Sequence, residues 1–211
     1  MQLKLLNTTI ELLPEKAIYL PASDTLVIAD LHLGKAMHFR KSGFPVPPQS
    51  AERDYLRLNA LIEKKQPQHI IVLGDLFHSV HNSEWNLFCD FVASRSGISF
   101  TLIIGNHDIL DRRHYDELCL HVIEESMILG DLLLSHEPLQ HVPEGKINVT
   151  GHIHPGFVLR GRASQRLKLP CFYLLPQLLI LPAFGSLTGL YLLERGNAKV
   201  FVVVGNGVVG V

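Results

Sequence analysis

Five apolar stretches of this sequence each end in a side chain that can bind a metal ion. "LVIA" (26–29) leads into Asp30 and His32, and "IIVLG" (70–74) leads into Asp75. One acid after an apolar run is usually a turn or capping residue, so a single such ending says little. The repetition is the signal, because all five endings are Asp, Asn or His. The remaining donors follow the other three runs: Asn106 and His107 after "FTLIIG", His136 after "LLLS", and His152 and His154 after "INVTG".

Apart from His107, these side chains make a set of seven possible metal ligands. One closed metal site needs about four protein ligands and one open catalytic site about three, so seven suggest two ions that share a carboxylate. The donors are oxygen and nitrogen without thiolate, which suits Mn²⁺, Fe²⁺, Zn²⁺ or Ni²⁺ better than Cu⁺. Two ions roughly 3.5–4 Å apart lower the pKa of a water and stabilise the attacking and leaving oxygens of a phosphoryl group. The set therefore indicates phosphoester hydrolysis.

The elements that would position these donors alternate between strand and helix in the first half of the chain. In α/β sheets, sites collect beyond the carboxyl ends of the strands. After residue 121 the pattern is mostly strands, so we expect one α/β domain over residues 1–211 with two sheets. The expected elements up to that point are two short strands within 3–20, a strand at 26–29, a loop at 36–49, a helix at 50–65, a strand at 69–74, a helix at 83–95, a strand at 98–105 and a short helix at 111–119.

Composition restricts the partners and the compartment. The formal net charge is −1 and the pI about 6.9, so the chain is not a globally basic nucleic-acid binder and must hold an anionic ligand locally. Three cysteines without a C-x-x-C pair argue against a disulfide framework and favour a reducing, cytoplasmic location. The N-terminal residues do not resemble a signal peptide, and prolines interrupt the most apolar region, 169–184, so no membrane span is expected.

The metal-binding blocks together resemble the calcineurin-like metallophosphoesterase superfamily. They read "DLH" (30–32), "GD" (74–75), "GNHD" (105–108), "SHEP" (135–138) and "GHIH" (151–154), in the order of that signature. The resemblance implies a four-layer α/β/β/α sandwich of two mixed sheets flanked by helices. It also implies two divalent ions, for which Mn²⁺ is the first expectation and Fe²⁺, Zn²⁺ and Ni²⁺ are alternatives.

The same resemblance implies a role for each residue of the blocks. His107 would not be a ligand; it would face the scissile phosphate and stabilise charge or protonate the leaving oxygen. A metal-bound hydroxide would attack phosphorus. The implied ligands are Asp30, His32 and His154 for one ion, Asn106, His136 and His152 for the other, and Asp75 between the two.

Four further segments resemble a narrower group, the bacterial ligase-associated DNA damage response endonucleases. They are "ADLHLGK" (29–35), "FRKSGFPVP" (39–47), "GDLFHS" (74–79) and "LPAFGSLTG" (181–189). This likeness implies a phosphodiesterase or nuclease with DNA as its substrate and DNA-repair proteins as possible partners. The oligomeric state stays open.

One position departs from the superfamily pattern. Many members read G-D-x-x-D, and the second Asp orients the catalytic histidine, whereas this chain has His78 there. His78 could accept a hydrogen bond from His107 or act on the substrate, and Asp108 is the alternative orienting group. Lys35 and Arg40, on the loop after the first ligands, are candidates to hold a non-scissile phosphate, although a solvated basic loop explains them equally well.

Two other functions remain open at this stage. The same centre could serve a phosphatase or a cyclic-nucleotide phosphodiesterase that acts on a small molecule, and the fold could be a non-catalytic scaffold. A scaffold would tolerate lost ligands, so the complete set argues against it.

Other charged and apolar residues carry less information about function. Four cations after the last metal-binding block could form a local basic track: Arg160, Arg162, Arg166 and Lys168. On the predicted helix 83–95, Leu87, Phe91 and Val92 are expected to face inward, and Trp85 and Phe88 fit core packing better than base stacking.

Overall fold

A computed structural model describes residues 1–41, 43, 49–78, 83–118, 120–161 and 165–211. The helices of this part all lie in the first 116 residues, between or beside the strands of one sheet. They are α1 (Lys35–Lys41), α2 (Gln49–Lys65), α3 (Ser83–Ala93) and α4 (Arg112–Asp116), with a single 3-10 turn at Pro21–Ser23.

The first sheet has seven strands that follow one another in chain order. The first four pair antiparallel, and the last four pair parallel, so the carboxyl ends of the fourth, fifth and sixth strands meet at one edge. Its strands are β1 (Gln2–Leu5), β2 (Thr8–Leu13), β3 (Ala17–Leu20), β4 (Thr25–Ala29), β5 (His69–Leu73), β6 (Ser99–Ile103) and β7 (His121–Ile123).

The second sheet is mixed. Its strands are β8 (Ser126–Leu129), β9 (Leu132–Ser135), β10 (Ile147–Thr150), β11 (Pro155–Arg160), β12 (Arg166–Leu175), β13 (Leu178–Ile180), β14 (Tyr191–Leu192), β15 (Lys199–Val204) and β16 (Gly207–Gly210). Their order is β14-β11-β12-β13-β10-β9-β8, with β15 beside β12 and β16 beside β15. Three neighbouring strands, β9, β10 and β13, run parallel, so the carboxyl ends of β9 and β10 also meet at one edge.

Strand β4 shows how the layers are built. Leu26 and Ile28 face the helices and pack in one core with Leu58 of α2, whereas Val27 and Ala29 face the second sheet. Because both faces are buried, the strand reads as a continuous apolar run, as parallel strands between two layers do. The fold class, α/β with two mixed sheets, is confirmed.

The outer face of the second sheet is covered differently from the outer face of the first. Cys171, Tyr173 and Val200 form a third core there, against side chains such as Phe157 and Leu193. In the described residues no helix follows Asp116, so strands and turns stand where the implied sandwich has its second helical layer. None of the described helices is long and apolar enough to cross a membrane.

Three expectations about the elements are wrong. Residues 35–41 form helix α1 where a loop was expected, because "KAMHFRK" contains neither Gly nor Pro; Pro45, Pro47 and Pro48 lie outside the described residues. The first twenty residues hold three strands instead of two. Leu87 is 56% exposed, whereas Trp85 and Phe88, each 2% exposed, are the core residues of α3.

Candidate metal centre

The loops that follow β4 and β5 run side by side, which brings two of the sequence blocks together. His32 donates from its backbone N–H to the Asp75 carbonyl at 2.8 Å, and Leu33 donates to Leu76 at 2.9 Å. The backbone N–H of His78 donates in the opposite direction, to the Leu33 carbonyl at 2.8 Å. These ladder-like bonds extend the parallel pairing past the ends of the strands and fix both loops at the sheet edge.

Five of the candidate ligands have left-handed backbone conformations. Non-glycine residues adopt such conformations rarely, and strained positions cluster at functional sites, where surrounding contacts hold them in place. Among the described residues, nine non-glycine residues have positive φ. The five candidate ligands among them are Asp30 (φ 53°), His32 (φ 49°), Asp75 (φ 50°), His152 (φ 64°) and His154 (φ 52°).

The glycine that precedes a ligand in the "GN" and "GH" blocks is required by close contact. A Cβ on Gly151 would lie 2.6 Å from Asp30 Oδ2, and a Cβ on Gly105 would lie 2.5 Å from Asp75 Oδ1. Both carboxylates belong to a neighbouring loop, so the absence of a side chain lets two ligand loops approach each other.

One group of donors, here the first donor group, consists of Asp30, His32 and His154. His154 Nε2 lies 3.4 Å from Asp30 Oδ1 and 3.4 Å from His32 Nε2. These ligand atoms, with one from each side chain, lie within 4.8 Å of one another. The backbone N–H of His152 donates to both oxygens of Asp30, which orients the carboxylate.

The second donor group consists of Asn106, His136 and His152. Asn106 Oδ1 lies 3.0 Å from His136 Nε2 and 3.1 Å from His152 Nδ1, and the two ring nitrogens are 3.1 Å apart. The other nitrogen of His136 lies 3.0 Å from the Leu73 carbonyl, which fits an N–H donated there and leaves Nε2 as a lone-pair donor.

Asp75 lies between the two donor groups. Its Oδ2 is 3.5 Å from His32 Nε2, and its Oδ1 is 3.5 Å from His136 Nε2. Each oxygen of this one carboxylate therefore faces a different group, which is the geometry of a bridging ligand. All seven candidate donors from the sequence come together at the edge shared by the two sheets.

The charges of this cluster fit bound cations. Asp30 and Asp75 are 0% and 2% exposed, and in the described part of the chain only histidines approach them as ion-pair partners. Burial, aided by the Lys35 charge, lowers the pKa of His32 to about 2, so this ring is neutral and can donate a lone pair. Buried carboxylates are costly unless they are paired or bind a metal, so the arrangement suits divalent cations.

Comparison with known proteins agrees with this geometry. The family model of the calcineurin-like phosphoesterases matches residues 24–156, the range that holds every ligand block. The chain belongs to the calcineurin-like phosphoesterase family. It is therefore a metal-dependent phosphoesterase, a hydrolase that requires divalent ions.

Two solved structures resemble this calcineurin-like phosphoesterase. A crystal structure of the nuclease MPE from Pseudomonas putida has 30% sequence identity and a TM-score of 0.86, and the match covers 100% of this chain and 99% of that one. This likeness is consistent with the DNA damage response endonuclease group. Yfce, a phosphoesterase from E. coli, has 14% identity and a TM-score of 0.44 over 89% of this chain and 97% of its own, which is too weak to inform function. No curated protein matches at a significant level.

His107 and His78 lie together beside the first donor group. Their ring centroids are 4.6 Å apart, and His78 Nδ1 lies 3.2 Å from His32 Nδ1. Asp108, the alternative orienting group, accepts hydrogen bonds from the backbone amides of Gly105 and Phe77. It therefore holds two loops together.

The two candidate phosphate-binding cations differ in their surroundings. Burial lowers the pKa of Lys35, and the charges of Asp75 and Asp30 act in the opposite direction, which means that this cation is close enough to the centre to feel both carboxylates. Arg40 instead reaches back to the buried Glu84, with 3.8 Å between Nη2 and Oε1. Glu84 also accepts from the Gly34 N–H at 2.6 Å and so fixes the turn before α1.

Sequence reasoning missed a partly buried polar cluster, here called the Asp54 clasp, that holds segment 184–186 against the centre. Asp54 of α2 accepts from the backbone N–H of Ser186 at 2.9 Å and pairs with Arg57 at 2.7 Å. Arg57 also donates to the Phe184 carbonyl, and the Gly185 N–H donates to the Asp30 carbonyl at 3.0 Å. The clasp therefore supports the backbone of the candidate ligand Asp30.

The charge balance of the clasp also includes Lys16, which donates to the Gly185 carbonyl at 3.3 Å. Burial and the nearby Arg57 charge lower the pKa of Lys16 to about 7, while Asp54 acts in the opposite direction. Asp54 is the carboxylate that pairs directly with Arg57, and the charge of Glu15 also acts on this guanidinium. In the sequence the segment "LPAFGSLTG" (181–189) carries only the family likeness, and nothing local in the sequence links it to Asp54.

We expect Asp54→Ala to lower the free energy of unfolding by about 2 kcal/mol, because it leaves the half-buried Arg57 without its carboxylate and the Ser186 N–H without its acceptor. Urea unfolding measures the change. Asp90→Ala, at an exposed position on α3, is the control and should stay within about 0.5 kcal/mol of wild type. Equal effects of the two substitutions would contradict a role for the clasp.

We expect Gly151→Ala to weaken metal binding at least about 10-fold, since losing even an outer support of a ligand costs about 10–100-fold in metal affinity. The new methyl group would displace Asp30 from the first donor group. Gly189→Ala is the matched control, because a Cβ there meets no atom within 4 Å. Titration calorimetry with Mn²⁺ compares the two variants, and equal affinities would show that the close contact at Gly151 is unimportant.

Proposed function

We propose that this phosphoesterase is a dinuclear-metal phosphodiesterase that cleaves DNA as part of DNA repair. The observation that carries the proposal is the position of Asp75, whose two carboxylate oxygens face two separate donor groups. The likeness over the whole chain to a protein described as a nuclease supports a nucleic-acid substrate.

In this proposal the residues of the first donor group would hold one ion, those of the second donor group would hold the other, and Asp75 would be shared between the two. Mn²⁺ is the first ion proposed, with Fe²⁺, Zn²⁺ and Ni²⁺ as alternatives, since carboxylate, amide and imidazole donors without thiolate suit all four. When bound, such a pair of ions lowers the pKa of a water molecule and stabilises negative charge on phosphate oxygens. The proposed enzyme acts in the cytoplasm as a single domain.

The chain's own residues then orient the substrate and move a proton. His107 donates a proton to the oxygen that leaves phosphorus, and its backbone N–H, bound to Asp75 Oδ1 at 2.9 Å, keeps it next to the bridging carboxylate. His78, with its ring against that of His107, orients the proton donor or contacts the phosphate. Lys35 provides positive charge near the carboxylates for a phosphate oxygen.

Activity assays on three substrate classes test this function. Metal-stripped protein is supplied with Mn²⁺ and offered a chromogenic phosphodiester, a chromogenic phosphomonoester, and single-stranded or hairpin DNA. We expect hydrolysis of the diester and of DNA, no monoesterase activity, and two ions per chain by metal analysis. Hydrolysis of the monoester alone would favour a phosphatase and reject the proposal, and loss of all activity in EDTA is the control for metal dependence.

A further inference from the structure

The hairpin formed by β11 and β12 carries three cations on one side. It leaves the metal centre directly, since β11 begins at the residue after His154. Arg160 lies opposite Arg166, and Val158 lies opposite Lys168. Directly opposed residues of antiparallel strands project to the same side, so the two arginines and the lysine share one side of the hairpin.

That side is the one that faces the first sheet. Side chains alternate along β12, so Lys168 projects to the same side as Phe172 and Leu174, which lie in the core between the two sheets. Leu169 and Cys171 project to the opposite side and belong to the outer core. The three cations therefore point toward the side on which the first sheet carries its half of the metal centre.

These cations lack acidic partners within the described chain. Arg160, Arg166 and Lys168 are exposed, and none of the ion pairs or side-chain hydrogen bonds of the described residues includes them. Like charges placed directly opposite each other on two strands destabilise a sheet, as Arg160 and Arg166 do here. Such a cost is offset when an anionic ligand binds across both residues. Arg162, the other arginine of this hairpin, lies outside the described residues.

The distance of these three cations from the metal centre indicates the size of the ligand. A strand rises about 3.3 Å per residue, so the level of Lys168 is about 13 Å and that of Arg160 about 20 Å along the strand from His154. A stacked single strand carries one phosphate per roughly 3.4 Å. The three cations therefore lie several phosphates away from the phosphate at the metal centre, and a mononucleotide or a small diester cannot reach them.

We infer that the basic hairpin face, defined by Arg160, Arg166 and Lys168, binds backbone phosphates of a single-stranded DNA substrate several nucleotides away from the bond that is cleaved. This inference rests on the proposed nuclease function and adds to it the path of the strand. Contacts with phosphates position a strand without reading its sequence, so the face contributes affinity and register.

The test compares two triple variants that remove the same charge. Arg160→Gln/Arg166→Gln/Lys168→Gln neutralises the basic hairpin face. The control variant Lys4→Gln/Arg195→Gln/Lys199→Gln removes three exposed cations elsewhere on the protein. Lys4 and Lys199 lie near Ile147, the first residue of β10, whereas the metal centre lies at the opposite end of that strand. Mn²⁺-loaded protein is assayed on a chromogenic diester and on labelled single-stranded DNA, and DNA binding is followed by fluorescence anisotropy over a range of salt concentrations.

We expect the hairpin variant to hydrolyse the chromogenic diester at the wild-type rate and to bind DNA roughly 10-fold more weakly. For this variant, the slope of log affinity against log salt concentration should be smaller in magnitude by about 2, since each phosphate contact on a single strand contributes about 0.7 to that slope. Equal DNA affinities and equal salt slopes in the two triple variants, or no DNA binding by wild type, would overturn the inference. If wild type binds DNA without cleaving it, the nuclease proposal fails, while the difference in binding still decides the role of the hairpin.

Discussion

Asp75→Asn should reduce turnover by at least about 100-fold and lower the metal content below two ions per chain. The loss exceeds the roughly 10–100-fold typical of an outer partner of a ligand, because Asp75 faces both donor groups. An amide offers one oxygen and no negative charge, so it cannot serve two cations. Steady-state kinetics on a phosphodiester and metal analysis by mass spectrometry measure the two effects.

Stability measurements separate this loss from misfolding. Asp75 is 2% exposed, and in the described chain its ion-pair partners are histidines. Without metal, its buried charge therefore destabilises the folded protein. The metal-free Asp75→Asn variant should therefore melt no lower than metal-free wild type. Added Mn²⁺ should stabilise wild type by about 2.7 kcal/mol at a concentration 100 times the dissociation constant and should stabilise the variant much less. Equal stabilisation of both proteins by Mn²⁺ would contradict a bridging role.

The meeting of the seven candidate donors was predictable because each one follows an apolar run that forms a strand. Parallel neighbours such as β4, β5 and β6 place their ends at one edge, so side chains far apart in sequence, such as Asp30 and Asn106, were expected to meet. The local pattern and the rule for parallel sheets were sufficient for this. The same reasoning gave the fold class, since alternating strands and helices in one half and strands in the other imply two sheets.

What the sequence could not reveal depends on contacts between distant residues. Asp54 reads as an ordinary polar position of an amphipathic helix, yet it bonds to Ser186, 132 positions away. Gly151 reads as a turn residue, although its role is the close contact with Asp30. Helix α1 and the three-residue strand β7 are too short to produce a clear periodic signal, so their form is decided by the neighbours they pack against.

His107→Ala should leave both ions bound and slow DNA cleavage by roughly 10²–10⁴, the range typical of a lost general acid or base. In the proposed function His107 is a proton donor, so its removal affects the chemical step and not the assembly of the centre. Metal analysis should give the wild-type content. His141→Ala, at an exposed histidine outside the site, is the matched control and should behave as wild type.

The choice of leaving group then distinguishes proton donation from simple charge stabilisation. A nitrophenol is a much stronger acid than a sugar hydroxyl, so it departs without needing a proton, and a missing general acid matters less for it. His107→Ala should therefore lose much less activity on a chromogenic nitrophenyl diester than on DNA. If His107 only stabilised charge on the phosphate, both substrates would slow by a similar factor. A comparable loss on the two substrates would thus reject proton transfer by His107 and assign it an electrostatic role beside His78 and the carboxylate of Asp75.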